Sequence, residues 1–214
     1  PVIVISAGKS VQSYGTVGST VEIIDSEKIS NSSNTFLLDL LNGEVGNLNM
    51  FQLGTTGTNA GIQMRGLPKR YSTVYIDGVK MSDPSASDNG FYSQDLFINS
   101  IDRIEILKGS QSSLYGNNAV GGTINIYTKK GTLGKHSNVE INTGTNSTQD
   151  LFYSLDGADD KKHYYIGLNY YTTDGNSAMN DDNSEKDTYY NKAITVNNGF
   201  KISENTTIEN SLRF

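Results

Sequence analysis

The sequence predicts a small α+β domain over residues 1–133, followed over residues 134–214 by antiparallel strands of a transmembrane β-barrel. Up to about residue 130, short strand and helix patterns alternate with Gly-rich turns. After residue 134 come segments of about ten residues in which every second residue is apolar, which is typical of barrel strands. The hydrophobic fraction of 35% lies below the usual 45–50% or so, as expected where only one face of many strands is apolar.

Composition and missing motifs exclude several classes of function. A net charge of −6 argues against a nucleic-acid partner, which requires a basic surface. The absence of cysteine excludes disulfides and thiolate metal sites. There is no Gly-x-Ser-x-Gly motif, and the Gly-rich stretch 116–122 is not followed by the helix that a phosphate-binding loop needs. We therefore expect a protein that is not an enzyme and requires no cofactor.

The first domain is predicted element by element from caps, turns and alternation. Asp25 is expected to cap a short helix through Ile29, and Ser33 or Asn34 to cap a helix over Thr35–Leu41 that ends at Gly43. Residues 9–20 are Gly/Ser-rich and expected to be irregular. The expected strands are Val21–Ile24, Val45–Phe51, Gln63–Arg65, Tyr71–Ile76 closed by an Asp77-Gly78 turn, and a final pair over 102–108 and 122–126.

The second part is predicted as a meander of five strands. Three connections are short, and the one over Thr173–Asn191 is long and acidic, which is typical of outer-membrane barrels. A soluble β-sandwich also alternates, so periodicity leaves that alternative open. Five strands would leave unpaired edges that lipid does not tolerate. The barrel interpretation therefore predicts that further strands follow Phe214.

Three motifs in order resemble the TonB-dependent outer-membrane receptors, most closely the cobalamin-receptor branch. They are Ile62-Gln63-Met64-Arg65-Gly66-Leu67, Val74-Tyr75-Ile76-Asp77-Gly78-Val79, and Arg103-Ile104-Glu105-Ile106-Leu107-Lys108-Gly109 continuing to Gly121-Gly122-Thr123-Ile124-Asn125-Ile126. The resemblance implies a TonB box at 1–8, a plug domain at 9–133 and the first five strands of a larger barrel, of about 22 strands, at 134–214. It also implies the outer membrane of a Gram-negative bacterium, with membrane lipid around the strands.

The resemblance further implies TonB-coupled active transport of a scarce, large nutrient. In this family the periplasmic TonB protein, energised by the proton gradient of the inner membrane, pairs with an N-terminal segment by strand addition. An alternative interpretation of that segment is a docked first strand of the plug. The residues that resemble the TonB box are Val2, Ile3, Val4, Ile5, Ser6 and Ala7.

Residue roles are carried over from the family by position. Arg65, Arg103 and Glu105 are expected at the interface of plug and barrel, with a purely structural role as the alternative. Cobalamin is the first expectation for the substrate, a ferric siderophore the second, and a soluble β-rich adhesin or binding module a more distant alternative. The cobalamin contacts carried over are Asn59, Gly61, Pro68, Ala86 and Ser87.

The long acidic connection resembles the calcium-binding loop of cobalamin receptors. Calcium takes six to eight oxygen ligands, and carboxylates two residues apart can converge on one ion. The family has Asp where Glu185 stands, and a solvated acidic loop is the alternative. The ligands that the resemblance implies are Asp174 or Asn176, with Asn183, Glu185 and Asp187.

Overall fold

The chain divides into two units in a computed structural model that describes residues 3–46, 48–177 and 185–214. The first unit holds residues up to 53 together with 59–128, and the second holds 54–58 together with 129–214. No helix in the described residues is long and apolar enough to cross a bilayer.

The first unit is an α+β domain of short elements, as the sequence predicts. Asp25 caps the first helix by accepting a hydrogen bond from the Lys28 backbone N–H at 3.0 Å, as expected. The elements are β1 (Ile3–Val4), β2 (Gln12–Ser13), β3 (Thr20–Ile24), α1 (Ser26–Ser30), α2 (Leu37–Glu44), β4 (Leu48–Gln52), β5 (Ala60–Met64), β6 (Ser72–Ile76), β7 (Val79–Lys80), β8 (Ile101–Lys108), α3 (Ser112–Tyr115) and β9 (Gly122–Thr128). Short 3-10 turns occupy Tyr14–Thr16 and Lys69–Tyr71.

A five-stranded sheet in the order β3-β8-β9-β6-β7 forms the centre of this unit. The pairing of β6 with β9 is parallel, and the other three are antiparallel. Strands β4 and β5 form a separate hairpin. The apolar side chains of the sheet, of the hairpin and of α2 pack into one core, in which Leu40, Leu41, Ile104, Ile106 and Ile124 have no exposed surface. This core fixes β8, which carries two of the predicted site residues.

Helix α2 lies two to three residues later than predicted. Its N-cap, Phe36, makes no side-chain capping bond; instead the Leu37 N–H donates to the Leu96 carbonyl at 2.8 Å. The Leu96 carbonyl thus satisfies the first N–H of the helix, in place of the side-chain cap expected from Ser33 or Asn34. The prediction that Gly43 ends the helix is also wrong, because the helix continues to Glu44. Glycine inside a helix costs about 1 kcal/mol, which the burial of the leucines on one face outweighs.

The predicted Asp77-Gly78 turn is confirmed and has a second role. Both residues have positive φ, 48° and 83°, as a tight hairpin turn requires, and the turn joins β6 to β7. The Asp77 carboxylate accepts hydrogen bonds from the Thr128 N–H at 2.9 Å and the Thr128 hydroxyl at 2.6 Å. The turn therefore also binds the end of β9, a contact that the local sequence does not indicate.

The prediction that residues 9–20 are irregular is wrong in part. Gln12 and Ser13 form β2, which pairs antiparallel with β1, and the 3-10 turn follows directly. The Val17 N–H closes that turn on the Tyr14 carbonyl at 3.3 Å. Polar Gly/Ser-rich composition alone does not reveal a two-residue pairing, because the partner strand supplies the hydrogen bonds.

The second unit contains the predicted five-stranded antiparallel meander. Its strands pair in chain order, and the connections after the first, second and fourth are short. The long connection after the third is the acidic one. The strands are β10 (Gly134–Thr143), β11 (Gln149–Ala158), β12 (Lys162–Thr173), β13 (Tyr189–Ser203) and β14 (Thr206–Arg213).

One face of the meander is apolar and exposed. Register places Val139 opposite Tyr153, Tyr153 opposite Leu168, and Leu168 opposite Ile194, so the apolar side chains form a continuous band. We name this surface the apolar band; its side chains are 38–70% exposed at Val139, Ile141, Leu151, Tyr153, Leu168 and Ile194. A water-soluble sandwich would bury such a face, whereas a membrane strand turns it to lipid. The exposed band therefore argues against the soluble alternative.

Candidate functional site

The N-terminal segment is docked on the first unit in its described part. Strand β1 pairs Ile3 with Ser13 and Val4 with Gln12. The Val4 side chain is fully buried and packs with Val21 and Leu107. This is the arrangement that the docked-strand interpretation expects. Val2 lies outside the described residues.

A buried carboxylate organises the segment after β1. Glu105, in the middle of β8, has no exposed surface. It accepts hydrogen bonds from the backbone N–H of Ile5 at 3.0 Å, from the backbone N–H of Ser6 at 2.8 Å and from the Ser6 hydroxyl at 2.5 Å. Arg103 pairs with the other Glu105 oxygen at 2.7 Å and also donates to the Ile3 carbonyl. Since buried charges need such partners, each of these contacts stabilises the docked segment.

Tyr115 completes the cluster from helix α3. Its hydroxyl donates to the Ser6 carbonyl at 2.6 Å, and its own carbonyl accepts from the Tyr75 hydroxyl at 2.9 Å. Burial, followed by the negative charge of Glu105, raises the pKa of Tyr115 to about 12. We name Ile5, Ser6, Arg103, Glu105 and Tyr115 the Glu105 cluster. No local sequence pattern links Tyr115 to Ser6, from which it is separated by 109 residues.

The three residues expected at a plug–barrel interface have different surroundings in the first unit. Glu105 and Arg103 are bound to each other and to the N-terminal segment. Arg65 is exposed and follows β5 with a φ of 56°, in the left-handed region, directly before Gly66 at 74°. The interface role assigned to the three residues stays a prediction.

A surface cavity of about 540 Å³ lies between β5 and the loop that follows β7. It includes two of the five residues expected to contact substrate, Asn59 and Ala86. The rest of the lining comprises two aromatic residues, two aspartates, two serines, a glutamine and a proline. The complete lining is Asn59, Ser82, Asp83, Pro84, Ser85, Ala86, Phe91, Tyr92, Gln94 and Asp95.

The other three expected substrate residues do not line this cavity. Gly61 is buried within β5, where a Cβ would lie 2.9 Å from the Phe51 ring, so its small size serves packing. Pro68 is exposed before the Lys69–Tyr71 turn, and Ser87 is exposed in the loop. Contact of these three with a ligand stays a prediction.

Lys69 anchors the loop that forms the cavity. Its ammonium donates to the Asp88 carboxylate at 2.8 Å and to the Gly90 carbonyl at 2.9 Å, and it lies 3.9 Å from the centre of the Tyr92 ring. The hydrogen bond from Lys69, followed by that from the Gly90 N–H, holds the pKa of Asp88 below its usual value. No local pattern in the sequence links Lys69 to Asp88 and Gly90, because these partners lie about twenty residues away.

We predict that Lys69→Met loosens this loop. Methionine keeps the length and apolar stem but removes the ammonium and both hydrogen bonds. Backbone amides of residues 82–91 should exchange with deuterium about tenfold faster, since hydrogen bonds from a charged group contribute about 1.5–3 kcal/mol. Arg70→Met is the matched control, because the Arg70 side chain stacks on Tyr71 and is exposed. Equal exchange in both variants would contradict the anchoring role.

The stabilisation of the loop by the contact between Lys69 and Asp88 depends on pH. Because the folded pKa of Asp88 is lowered, the stabilisation by Lys69 is present above the unfolded value, about pH 4. It is lost as the pH falls through the lower folded pKa. Exchange of the loop amides, corrected for intrinsic rates, should therefore rise only in acid. The rise should be smaller in the Lys69→Met receptor, in which the Gly90 N–H still donates to Asp88.

The acidic connection does not gather its expected calcium ligands within the described residues. The Asp174 carboxylate accepts from the Ser147 hydroxyl at 2.9 Å and pairs with Lys186 at 3.2 Å, and both contacts lower its pKa. Asn183 lies outside the described residues. In the described ranges no three His, Cys, Asp or Glu side chains are close enough to hold one metal ion. Calcium would have to compete with the Lys186 ammonium for Asp174.

An α+β unit with a docked N-terminal strand, followed by a meander with an exposed apolar face, is typical of part of a membrane receptor. The family model described as TonB-dependent Receptor Plug Domain matches residues 15–123, about half of the chain. The chain belongs to this family of outer-membrane receptors, which are not enzymes.

Curated relatives agree with this assignment. The rhizobactin receptor of Rhizobium meliloti (strain 1021) is 32% identical over 164 residues, which cover 73% of this chain and 21% of that protein. The vitamin B12 transporter BtuB of Vibrio vulnificus (strain CMCP6) is 25% identical over 152 residues, covering 71% of this chain and 24% of that protein. The chain thus spans between a fifth and a quarter of the length of these relatives.

Solved structures share the fold. The ferripyoverdine receptor of the Pseudomonas aeruginosa outer membrane superimposes with a TM-score of 0.79 at 16% identity, covering 100% of this chain and 27% of that one. The siderophore receptor PirA of Acinetobacter baumannii gives a TM-score of 0.71 at 21% identity, covering 90% and 31%. The predicted fold class, an α+β plug followed by antiparallel barrel strands, is thereby confirmed.

Proposed function

We propose that this chain forms the plug and first barrel strands of a receptor that takes up a large, scarce nutrient by TonB-coupled transport. The observation that carries the proposal is the match of residues 15–123 to the plug model, next to strands whose apolar face is exposed. Strand addition by TonB would use the backbone N–H and C=O groups of the segment Val2–Ala7. Lipid would contact the apolar band.

Cobalamin is the proposed substrate, and the charge of the cavity supports it. Among the described residues, the lining contains the carboxylates of Asp83 and Asp95 and neither lysine nor arginine. Lys69 is close, but its ammonium is bound to Asp88 and Gly90. Carboxylates and the amides of Asn59 and Gln94 can accept hydrogen bonds from the amide groups that surround a corrin ring. A strongly anionic iron chelate would instead be repelled there.

A ferric siderophore is the second candidate. It is supported by the 32% identity to the Rhizobium meliloti rhizobactin receptor, which exceeds the 25% identity to BtuB of Vibrio vulnificus. A chelate with few negative charges would avoid the repulsion from Asp83 and Asp95. The cavity residues are therefore compatible with a weakly charged chelate.

Binding to outer membranes distinguishes the two substrates. Membranes with the full-length receptor that carries this sequence are incubated with radiolabelled cobalamin or with ⁵⁵Fe-labelled rhizobactin, and membranes without the receptor serve as control. Saturable binding of cobalamin alone supports the first candidate, and binding of the ferric chelate alone replaces it by the second. If neither cobalamin nor the ferric chelate binds, both proposed substrates are contradicted.

We also propose that the acidic connection binds calcium in the full-length receptor. Asp174, Glu185 and Asp187 would supply oxygen ligands with Asn183, after Lys186 leaves Asp174. The same cobalamin assay, repeated with calcium and with a chelator, tests this. Tighter binding with calcium that is lost in Asp174→Asn supports the proposal, and identical affinity in both buffers would contradict it.

A further inference from the structure

The docked N-terminal segment cannot serve as a free strand for a partner. Strand addition needs the backbone N–H and C=O groups along one edge of the added strand. The N–H groups of Ile5 and Ser6 are bound to Glu105, and the carbonyls of Ile3 and Ser6 are bound to Arg103 and Tyr115. Strand β2 already pairs with β1 at Ile3 and Val4. A partner strand can therefore bind only after these contacts break.

We infer that Glu105 is the positioning residue that sets the fraction of receptors whose N-terminal segment is free to bind a partner strand, with Tyr115 as its second support. This inference rests on the proposed function, because it assigns the control of that same TonB-binding segment. An apparent affinity falls in proportion to the population of the binding-competent state. Contacts that hold the segment docked therefore reduce the affinity for the partner.

Glu105 can hold the segment docked because its carboxylate accepts the hydrogen bonds that the segment donates. Its two oxygens meet donors on every described side: two backbone N–H groups, the Ser6 hydroxyl and the Arg103 guanidinium. Glutamine has the same shape, but one oxygen becomes an NH2 group that would face N–H donors. Glu105→Gln thus changes the hydrogen bonding of the segment while it preserves the volume in the middle of β8.

The neighbouring strand offers a matched control. Glu22, in β3, also forms an ion pair, with Lys108 at 2.7 Å, and Lys108 further donates to the Gly46 carbonyl. These contacts do not include the N-terminal segment. Glu22→Gln therefore removes a comparable charge from the same sheet and should leave β1 docked.

The test measures segment release directly in the full-length receptor. This sequence contains no cysteine, so Ile3→Cys, at a side chain that is 40% exposed, places one nitroxide in this part of the receptor. In outer-membrane vesicles, the spectrum should show an immobile label in the Ile3→Cys receptor and in its Glu22→Gln variant. Glu105→Gln should raise the ratio of mobile to immobile label about tenfold or more, since charge-assisted hydrogen bonds are lost. Tyr115→Phe should raise it several-fold, because one hydrogen bond is lost.

A second measurement separates this inference from the proposed function. The purified periplasmic domain of TonB should bind the Glu105→Gln receptor about tenfold more tightly than the Glu22→Gln receptor. A synthetic peptide of residues 2–7 should compete, and a scrambled peptide should not. Release in Glu105→Gln without TonB binding to any receptor would support the positioning role and overturn TonB as partner. An immobile label in Glu105→Gln, or equal release in Glu22→Gln, would overturn the positioning role.

Discussion

Gly122→Ala is expected to destabilise the plug by about 3–5 kcal/mol, a large part of the stability of a domain this size. Gly122 begins β9 with a φ of 151°, and a Cβ there would lie 2.2 Å from the Leu107 carbonyl oxygen. The substitution would force β9 away from β8 at the pair formed by Lys108 and Gly122. Arg103 and Glu105 lie on β8, so the N-terminal segment should lose its support as well.

Hydrogen exchange of the β8 and β9 amides in the full-length receptor measures this effect, together with protease resistance of the plug. Gly18→Ala is the control, since its Cβ would meet nothing within 4 Å and its φ is not positive. It should change stability by a few tenths of a kcal/mol, in the stabilising direction if anything. Full protection of β9 in Gly122→Ala would mean that the close approach of the two strands is not required.

Ile194→Arg should impair insertion into the outer membrane by about 2–4 kcal/mol. Ile194 is 42% exposed in the middle of the apolar band and pairs with Leu168. In the bilayer interior the guanidinium would lose its hydration without a partner. The amount of folded, heat-modifiable receptor in outer-membrane fractions measures the effect.

The same substitution near the end of that strand provides the control. Ile202 is 64% exposed and lies one residue before β13 ends at Ser203. An arginine there can extend to the membrane surface, so the cost should fall to about 0–1 kcal/mol. Equal loss at both positions would indicate that the band does not follow the depth of a bilayer.

Several elements could be predicted because their cause is local. Asp77-Gly78 specifies a tight turn through the positive φ that both residues tolerate, and Asp25 caps its helix through its own side chain. The alternation after residue 134 needs only the two-residue period of a strand. The bounds of α2 were wrong for the opposite reason, since its first N–H is satisfied by Leu96 and its burial overrides Gly43.

The candidate sites were predicted less completely. Asn59 and Ala86 lie in the cavity that the structure forms, but nothing in the sequence indicated that Lys69 holds the loop of this cavity. Arg103 and Glu105 were expected at a plug–barrel interface, and nothing in the sequence indicated that they bind the N-terminal segment. Calcium binding by the acidic connection remains a prediction.

The sequence by itself determined the family, the order of the two parts and the face of each barrel strand that is apolar. Those properties depend on motifs and on the alternation of neighbouring residues, which the chain carries at every position. Only the tertiary structure decided that the N-terminal segment is docked and what docks it. Glu105 and Ser6 are separated by 99 residues, and their contact arises because β8 is fixed in the sheet while β1 packs Val4 against Val21 and Leu107.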